Sequence, residues 1–110
     1  MEREKIVALT QAPVAEVIAH LPQLISALKD ESLQHSILAM IKQYPTESTP
    51  HIEEALLSED EELKRIILEQ VVATLPFYSK MVIVNVVEQI AMTTSDLQQL
   101  AKETLQHFEP

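Results

Sequence analysis

Apolar positions along this chain recur mostly at helical spacing. Leu63, Ile66, Ile67, Gln70, Val71 and Thr74 trace one face, with Glu62, Lys64, Arg65 and Glu69 largely off it. Leu97, Leu100, Ala101, Thr104, Leu105 and Phe108 trace another. A stripe of this period is what a helix turns toward a core. Residues 81–87 are β-branched and nearly unbroken, which also suits a strand. Continuation of the run through Met92, with no second run to pair with it, favours a helix buried on most sides. The patterns together predict helices at about 2–10, 13–20, 22–29, 32–43, 50–57, 60–75, 77–92 and 95–108, with 44–49 the clearest loop. In the helix at 77–92, Met81, Val82, Val84, Val87, Ile90 and Ala91 make the expected core stripe, which leaves Ile83 and Val86 as apolar surface.

Punctuation agrees with this division. Internal prolines stand at 13, 22, 45, 50 and 76, most of them just ahead of an amphipathic run. Proline suits the first helical turn because its missing N–H would be unpaired there. Thr49-Pro50 reads as a cap followed by the first helical residue. Ser58 with Glu61, and Ser95 with Gln98, have capping-box spacing.

Composition narrows the class. The chain has no glycine, and tight hairpins need positive φ, which glycine supplies most cheaply. The expected fold is therefore all-α, a single domain over 1–110. The same absence removes phosphate-binding loops and the nucleophile elbow, both of which depend on glycine. With no cysteine, neither disulfides nor thiol chemistry enter. The opening Met1-Glu2-Arg3-Glu4-Lys5 is charged and precedes no apolar signal core, and no run approaches a membrane span. A soluble bacterial protein of the cytoplasm is the expectation.

An echo runs through the middle of the chain. Pro22-Gln-Leu-Ile-Ser-Ala-Leu-Lys-Asp-Glu-Ser-Leu33 leads to Ile37, Leu38 and Ile41; the stretch from Pro50 to Leu63 leads to Ile67, Leu68 and Val71. Each unit is a proline-started helix, an acidic turn and a longer second helix, and 77–92 with 95–108 makes a third pair. A period of about 28 to 36 residues is that of stacked helical repeats, in which neighbours cover each other's apolar faces. With Asp30, Asp60 and Asp96 opening the second helices, the pattern resembles HEAT or armadillo-type repeats. More narrowly, about 9–76 resembles a bacterial family of uncharacterised HEAT-like domains. The shared features are Leu21-Pro22-Gln23-Leu24-Ile25, Asp30, Pro50-His51-Ile52, Ser58-Glu59-Asp60-Glu61 and Leu75-Pro76. That family carries tryptophans around its first turn; this chain has none, and Leu28 and His35 lie near those positions. The resemblance implies a right-handed stack of antiparallel helix pairs, about seven or eight helices in all, and implies no particular activity.

Charge points to a partner more than to a reaction. The formal net charge is −9; its plain reading is solubility, and its functional reading is a surface that repels nucleic acid and anionic lipid and attracts basic partners. Glu53, Glu54, Glu59, Asp60, Glu61 and Glu62 crowd together with no base among them. Acids in a first helical turn ordinarily complement the helix dipole and stay solvated; their functional reading is a docking face for a Lys/Arg-rich protein. Calcium is a poor match, since no D-x-[DN]-x-[DN]-G loop is present. His20, His35, His51 and His107 lack the i,i+4 spacing of a helical metal pair. They also lack the His-Glu dipeptides of the HEAT-repeat di-iron hydroxylases, although His51 beside the acidic run merits a test. HEAT-like DNA glycosylases need a basic concave face and aromatic contacts, which a chain this acidic and poor in aromatics does not offer. The expectation is a non-enzymatic protein-binding module without cofactor or metal. It would use Glu53, Glu54, Glu59, Asp60, Glu61 and Glu62 with Ile83 and Val86, and mask a basic protein. The alternatives are a homo-oligomer or homodimer joined through 77–92 and, behind it, a metal-dependent enzyme built on His51.

Overall fold

Residues 3–108, the part of the chain that this computed structural model describes, form helices joined by short turns, with no strand among them. The elements are α1 (Arg3–Thr10), α2 (Val14–Ser26), α3 (Glu31–Gln43), α4 (Pro45–Leu57), α5 (Glu61–Ile66), α6 (Phe77–Met92) and α7 (Gln98–Leu105). A 3-10 turn, Ala27–Lys29, follows α2; α5 runs on through a π segment, Ile67–Val71, into a 3-10 turn, Val72–Thr74; another, Gln106–Phe108, follows α7. Position 2, where the first helix was expected to open, lies outside the described residues.

Helix ends follow from the missing glycine. No described residue has positive φ, so no helix closes on a left-handed residue. At Asp30, Ser58, Leu75 and Thr93 the chain leaves the helix through extended backbone instead. Asp30 closes one turn (φ −87°, ψ 106°) and opens the next helix, its carboxylate accepting from the Ser32 N–H at 3.0 Å. Asp60 does the same for α5, accepting from the Leu63 N–H at 3.1 Å. Capping by a short side-chain oxygen satisfies one of the unpaired N–H groups of the first turn.

Three sequence expectations need correction. Pro22 and Pro50 lie inside α2 and α4, which merges 13–20 with 22–29 and moves the start of α4 back to Pro45. Both rings are exposed while Leu21, Leu24, Ile25, Thr49 and Ile52 are buried, so packing of the flanking turns carries each helix through the residue whose N–H is missing. The supposed loop 44–49 is thus mostly helix. Its polar residues deceive because Ser48 and Thr49, both buried, donate their hydroxyls to the carbonyls of Tyr44 (2.7 Å) and Pro45 (2.6 Å), one turn back. Neither serine forms its expected capping box. Ser58 donates to Ala55 O and accepts from Asp60 N, closing α4, and Ser95 shapes the turn ahead of Leu97, with α7 opening at Gln98.

The helices pack in two rows. α2 packs on α4 and α4 on α6. The other row runs α1, α3, the π segment and α7: α1 packs on α3, Gln70 donates to Gln34 at 3.4 Å, and Thr104 donates to the Leu68 carbonyl at 3.4 Å. One apolar cluster from Ile6 to Phe108 fills the space between the rows, with Leu21, Leu24, Ile37, Ile41, Ile52, Ile67 and Ile83 among its most buried members. The described body measures 40 × 26 × 18 Å.

Successive helices of the first row run parallel. The hydroxyls of Thr46 and Tyr78 are hydrogen-bonded, joining the N-terminal ends of α4 and α6. Leu56 and Leu57 at the end of α4 line one groove with Val86, Gln89 and Ile90 in the second half of α6. The later half of α2 (Pro22, Ile25, Ser26) likewise lies across a groove from His51, Glu54 and Ala55 of α4.

Candidate functional site

α6 settles which apolar groups reach the surface. Ile83 is fully buried and Val86 8% exposed, so neither offers the apolar surface expected of it. The helix is turned the other way: Ser79, Ile83, Val86, Val87 and Ala91 face the core, while Phe77, Tyr78, Met81, Val82 and Met92 are exposed, the last by 83%. The expected stripe mis-set the phase because the helix is apolar nearly all round. Its polar residues carried the signal. At 100° per residue, Asn85, Glu88 and Gln89 share one side with Met81 and Val82, and Ile83 and Val87 lie opposite.

The exposed apolar groups are not spread over the molecule. Val14 of α2, Leu57 of α4, and Phe77, Tyr78, Met81, Val82 and Met92 of α6 all belong to the first row; only Val7 of the described large apolar exposures belongs to the second. Because the buried sides of α2, α4 and α6 turn toward the second row, their exposed side chains share one outer face.

Charge divides along the same line. In the second row, Arg3, Lys5, Lys42, Lys64, Arg65 and Lys102 match Glu4, Glu31, Glu61, Glu62, Glu69 and Glu103 one for one. In the first, Glu16, Glu47, Glu53, Glu54 and Glu88 stand against Lys80 alone, and Lys80 donates to the His107 carbonyl at 3.3 Å. The outer face of α2, α4 and α6 is therefore both apolar and acidic.

The acidic run of the sequence is broken up by the fold. Glu53, half-buried, and Glu54, exposed, lie on α4; Glu59 is exposed in the turn; Glu61 and Glu62 are exposed in the first turn of α5, in the second row. Asp60 is committed to structure, since besides its cap it accepts from Lys29 Nζ at 2.6 Å and so ties two consecutive turns together. The Lys29 hydrogen bond and the Leu63 N–H hold the Asp60 carboxyl below the usual carboxylate range, and the same contact raises the Lys29 ammonium. Glu61 lies 3.6 Å from Lys64. His51 sits mid-helix in α4 rather than near a helix N-terminus, half-buried in the groove of about 330 Å³ that Glu54 and Asp60 also line. Among the described residues no three His, Asp or Glu side chains converge closely enough to hold a metal ion.

The architecture and surface define an all-helical, two-row domain with one acidic, apolar face. The chain belongs to the family described as a domain of unknown function (DUF5071), whose family model matches residues 2–107. No curated protein and no solved structure matches it. Among the described residues no helix is long and apolar enough to cross a membrane.

Proposed function

We propose that this chain is a non-catalytic protein-binding module that docks its partner on the outer face of α2, α4 and α6. One observation carries the reading: nearly all the exposed apolar bulk and an unbalanced set of acids fall on the same row of helices. Clustered exposed apolar groups mark interfaces, and a one-signed surface selects and steers a partner of opposite sign. That partner is a protein with a basic surface, which the module covers and masks.

The fold itself reads as a HEAT-like, right-handed superhelix. Parallel α2, α4 and α6 support this. So do the side-chain links between successive units, Lys29–Asp60, Thr46–Tyr78, Gln34–Gln70 and Leu68–Thr104, at separations of 31, 32, 36 and 36 residues. Stacked repeats of that length present an extended face to a partner.

The test is affinity capture from the source cells with three baits: the unaltered chain, a first-row variant (Met81→Ser, Val82→Ser, Glu54→Lys) and a second-row variant (Glu62→Lys, Glu69→Lys). Captured proteins lost only with the first-row variant are the expected result. Identical capture by all three baits would remove the reading.

A second reading, self-association through α6, is favoured by the exposure of Phe77, Tyr78, Met81 and Val82 on one helix. Two copies meeting there would bring Glu47 and Glu88 of each toward acids of the other, which opposes the contact. Sedimentation as a monomer at high concentration excludes it; a concentration-dependent dimer would establish it.

A further inference from the structure

The α4–α6 part of this face has a layout that specifies the shape of its partner. At the N-terminal end of α6, Tyr78, Met81 and Val82 are exposed by 53%, 44% and 53%. At the other end Met92 of α6 is exposed by 83% and Leu57, at the end of the parallel α4, by 59%. Between these two apolar ends the surface turns polar: Asn85, Glu88 and Gln89 of α6 and Glu54 of α4 are exposed. From Met81 to Met92 is three helical turns, roughly 16 Å along the axis.

We infer that the occupant is a basic amphipathic helix of another protein, laid along the α4–α6 seam, with apolar anchors about three turns apart and Lys or Arg side chains between them. The inference rests on the protein-binding reading above. A helix suits the site because anchors repeating at whole turns bring both apolar ends and the acidic middle into contact with one side of it. An extended strand would need an open sheet edge to pair with, and no strand exists among the described residues. Charge selects the sign: Glu54 and Glu88 lie between the anchors, and neither α4 nor α6 has a basic side chain on this face, Lys80 being turned to the His107 carbonyl. Lys64 of α5, which lines the Leu57 end of the seam, is offset there by Glu61 at 3.6 Å. A second copy of the chain fails this requirement, because its own corresponding helix carries the same acids.

Synthetic labelled peptides of about five turns, some 18 residues, test the inference by fluorescence anisotropy against the whole chain. One peptide carries leucine anchors and lysines, a second replaces the lysines by glutamates, and a third keeps the lysines and replaces the leucines by serines. The first should bind at least about tenfold more tightly than either of the others, a difference of about 1.4 kcal/mol. Glu54→Lys with Glu88→Lys should weaken it about tenfold, as should Met81→Ser with Val82→Ser, and Glu62→Lys with Glu69→Lys should change it less than about twofold. All these positions are exposed, and circular dichroism checks each variant's fold. Amide chemical-shift changes mapped on the unaltered chain give a second readout and should centre on residues 77–92 and 46–57. Equal binding of the leucine–lysine and serine–lysine peptides, equal sensitivity to the second-row variant, or shifts centred on the second row would overturn the inference. Absence of all peptide binding would also overturn it; if first-row-dependent capture from cells persisted, the protein-binding reading would stand without the helical occupant.

Discussion

The proposed docking face depends on how α6 is turned, and two neighbouring residues test that orientation. Ile83 is fully buried and Val82 is 53% exposed. Truncating Ile83 to alanine removes three buried carbons, about 2.4 kcal/mol at roughly 0.8 kcal/mol each. The void left behind adds to this, which places the cost at about 3–4 kcal/mol, inside the usual range for such truncations. Val82→Ala removes two carbons from a half-exposed side chain and replaces a β-branched residue by the best helix former. Its cost should be below about 0.5 kcal/mol, or slightly negative. Domains of this size have roughly 5–15 kcal/mol of stability, so only the first change consumes a large share. Urea unfolding followed by far-ultraviolet circular dichroism separates the two cases, with a melting-temperature loss of more than about 10 °C for Ile83→Ala as a second signature. If Val82→Ala cost as much as Ile83→Ala, α6 would be turned as its apolar run alone suggests, and the proposed docking face would lose its centre.

Three further outcomes follow from single contacts. The Ser79 hydroxyl is buried with no hydrogen-bond partner, so Ser79→Ala should raise stability by about 1 kcal/mol in urea unfolding; a loss would mean the hydroxyl is paired. Asp60 has a lowered pKa and Lys29 a raised one through their mutual contact. The Asp60 contribution is therefore complete above the unfolded carboxyl value, near 3.9, and disappears as pH falls through its lower folded value. The Lys29 contribution is complete below the unfolded lysine value, near 10.4, and disappears as pH rises through its higher folded value. The stability difference between the unaltered chain and Lys29→Met should thus be flat at neutral pH and shrink at both extremes, and a difference independent of pH would refute the pairing. Pro50 removes an α-helical bond to the Thr46 carbonyl inside α4, so Pro50→Ala should stabilise by about 2–2.5 kcal/mol, the interior cost less the entropy proline removes from the unfolded chain; a loss of stability in the same assay would contradict this.

Different parts of the structure were legible in the sequence to different degrees, for physical reasons. The helices at 32–43, 60–75 and 77–92 emerge close to where periodicity places them, because a long run with one apolar side, or apolar all round, has few other solutions. Asp30 and Asp60 are readable as helix openers because a short carboxylate ahead of an apolar run has a specific job. Pro22 and Pro50 mislead because local propensity yields to burial of the turns on either side. The layout of the acids was half legible: Glu53 and Glu54 lie on α4 in the first row, whereas Asp60 caps α5 and Glu61 and Glu62 lie on it, since adjacency in the chain says nothing about which row a turn delivers its residues to. Glu16, Glu47 and Glu88, scattered in sequence, are gathered only by the parallel packing of α2, α4 and α6.

That gathering has a cause that reaches back to composition. Without glycine, the residue that most readily closes a helix in the left-handed region is missing, and no described helix closes there; Asp30 and Tyr44 each close one turn and open the next helix as a single residue. Connections this short leave little freedom in where the following helix starts. The side-chain hydrogen bonds that link successive turns and helices along the rows fall at separations of 31 to 36 residues. Links of this kind leave α2, α4 and α6 parallel and on the same side. Any bias in what first helices carry on their outer positions therefore accumulates into one continuous surface rather than cancelling around the molecule. Acids and apolar groups are biased in that way in this chain, and the bases other than Lys29 and Lys80 belong to the second row. A partition of that kind is not needed for solubility, which either row could provide with mixed charge as the second row does. It is what a surface selective for a basic, apolar partner requires.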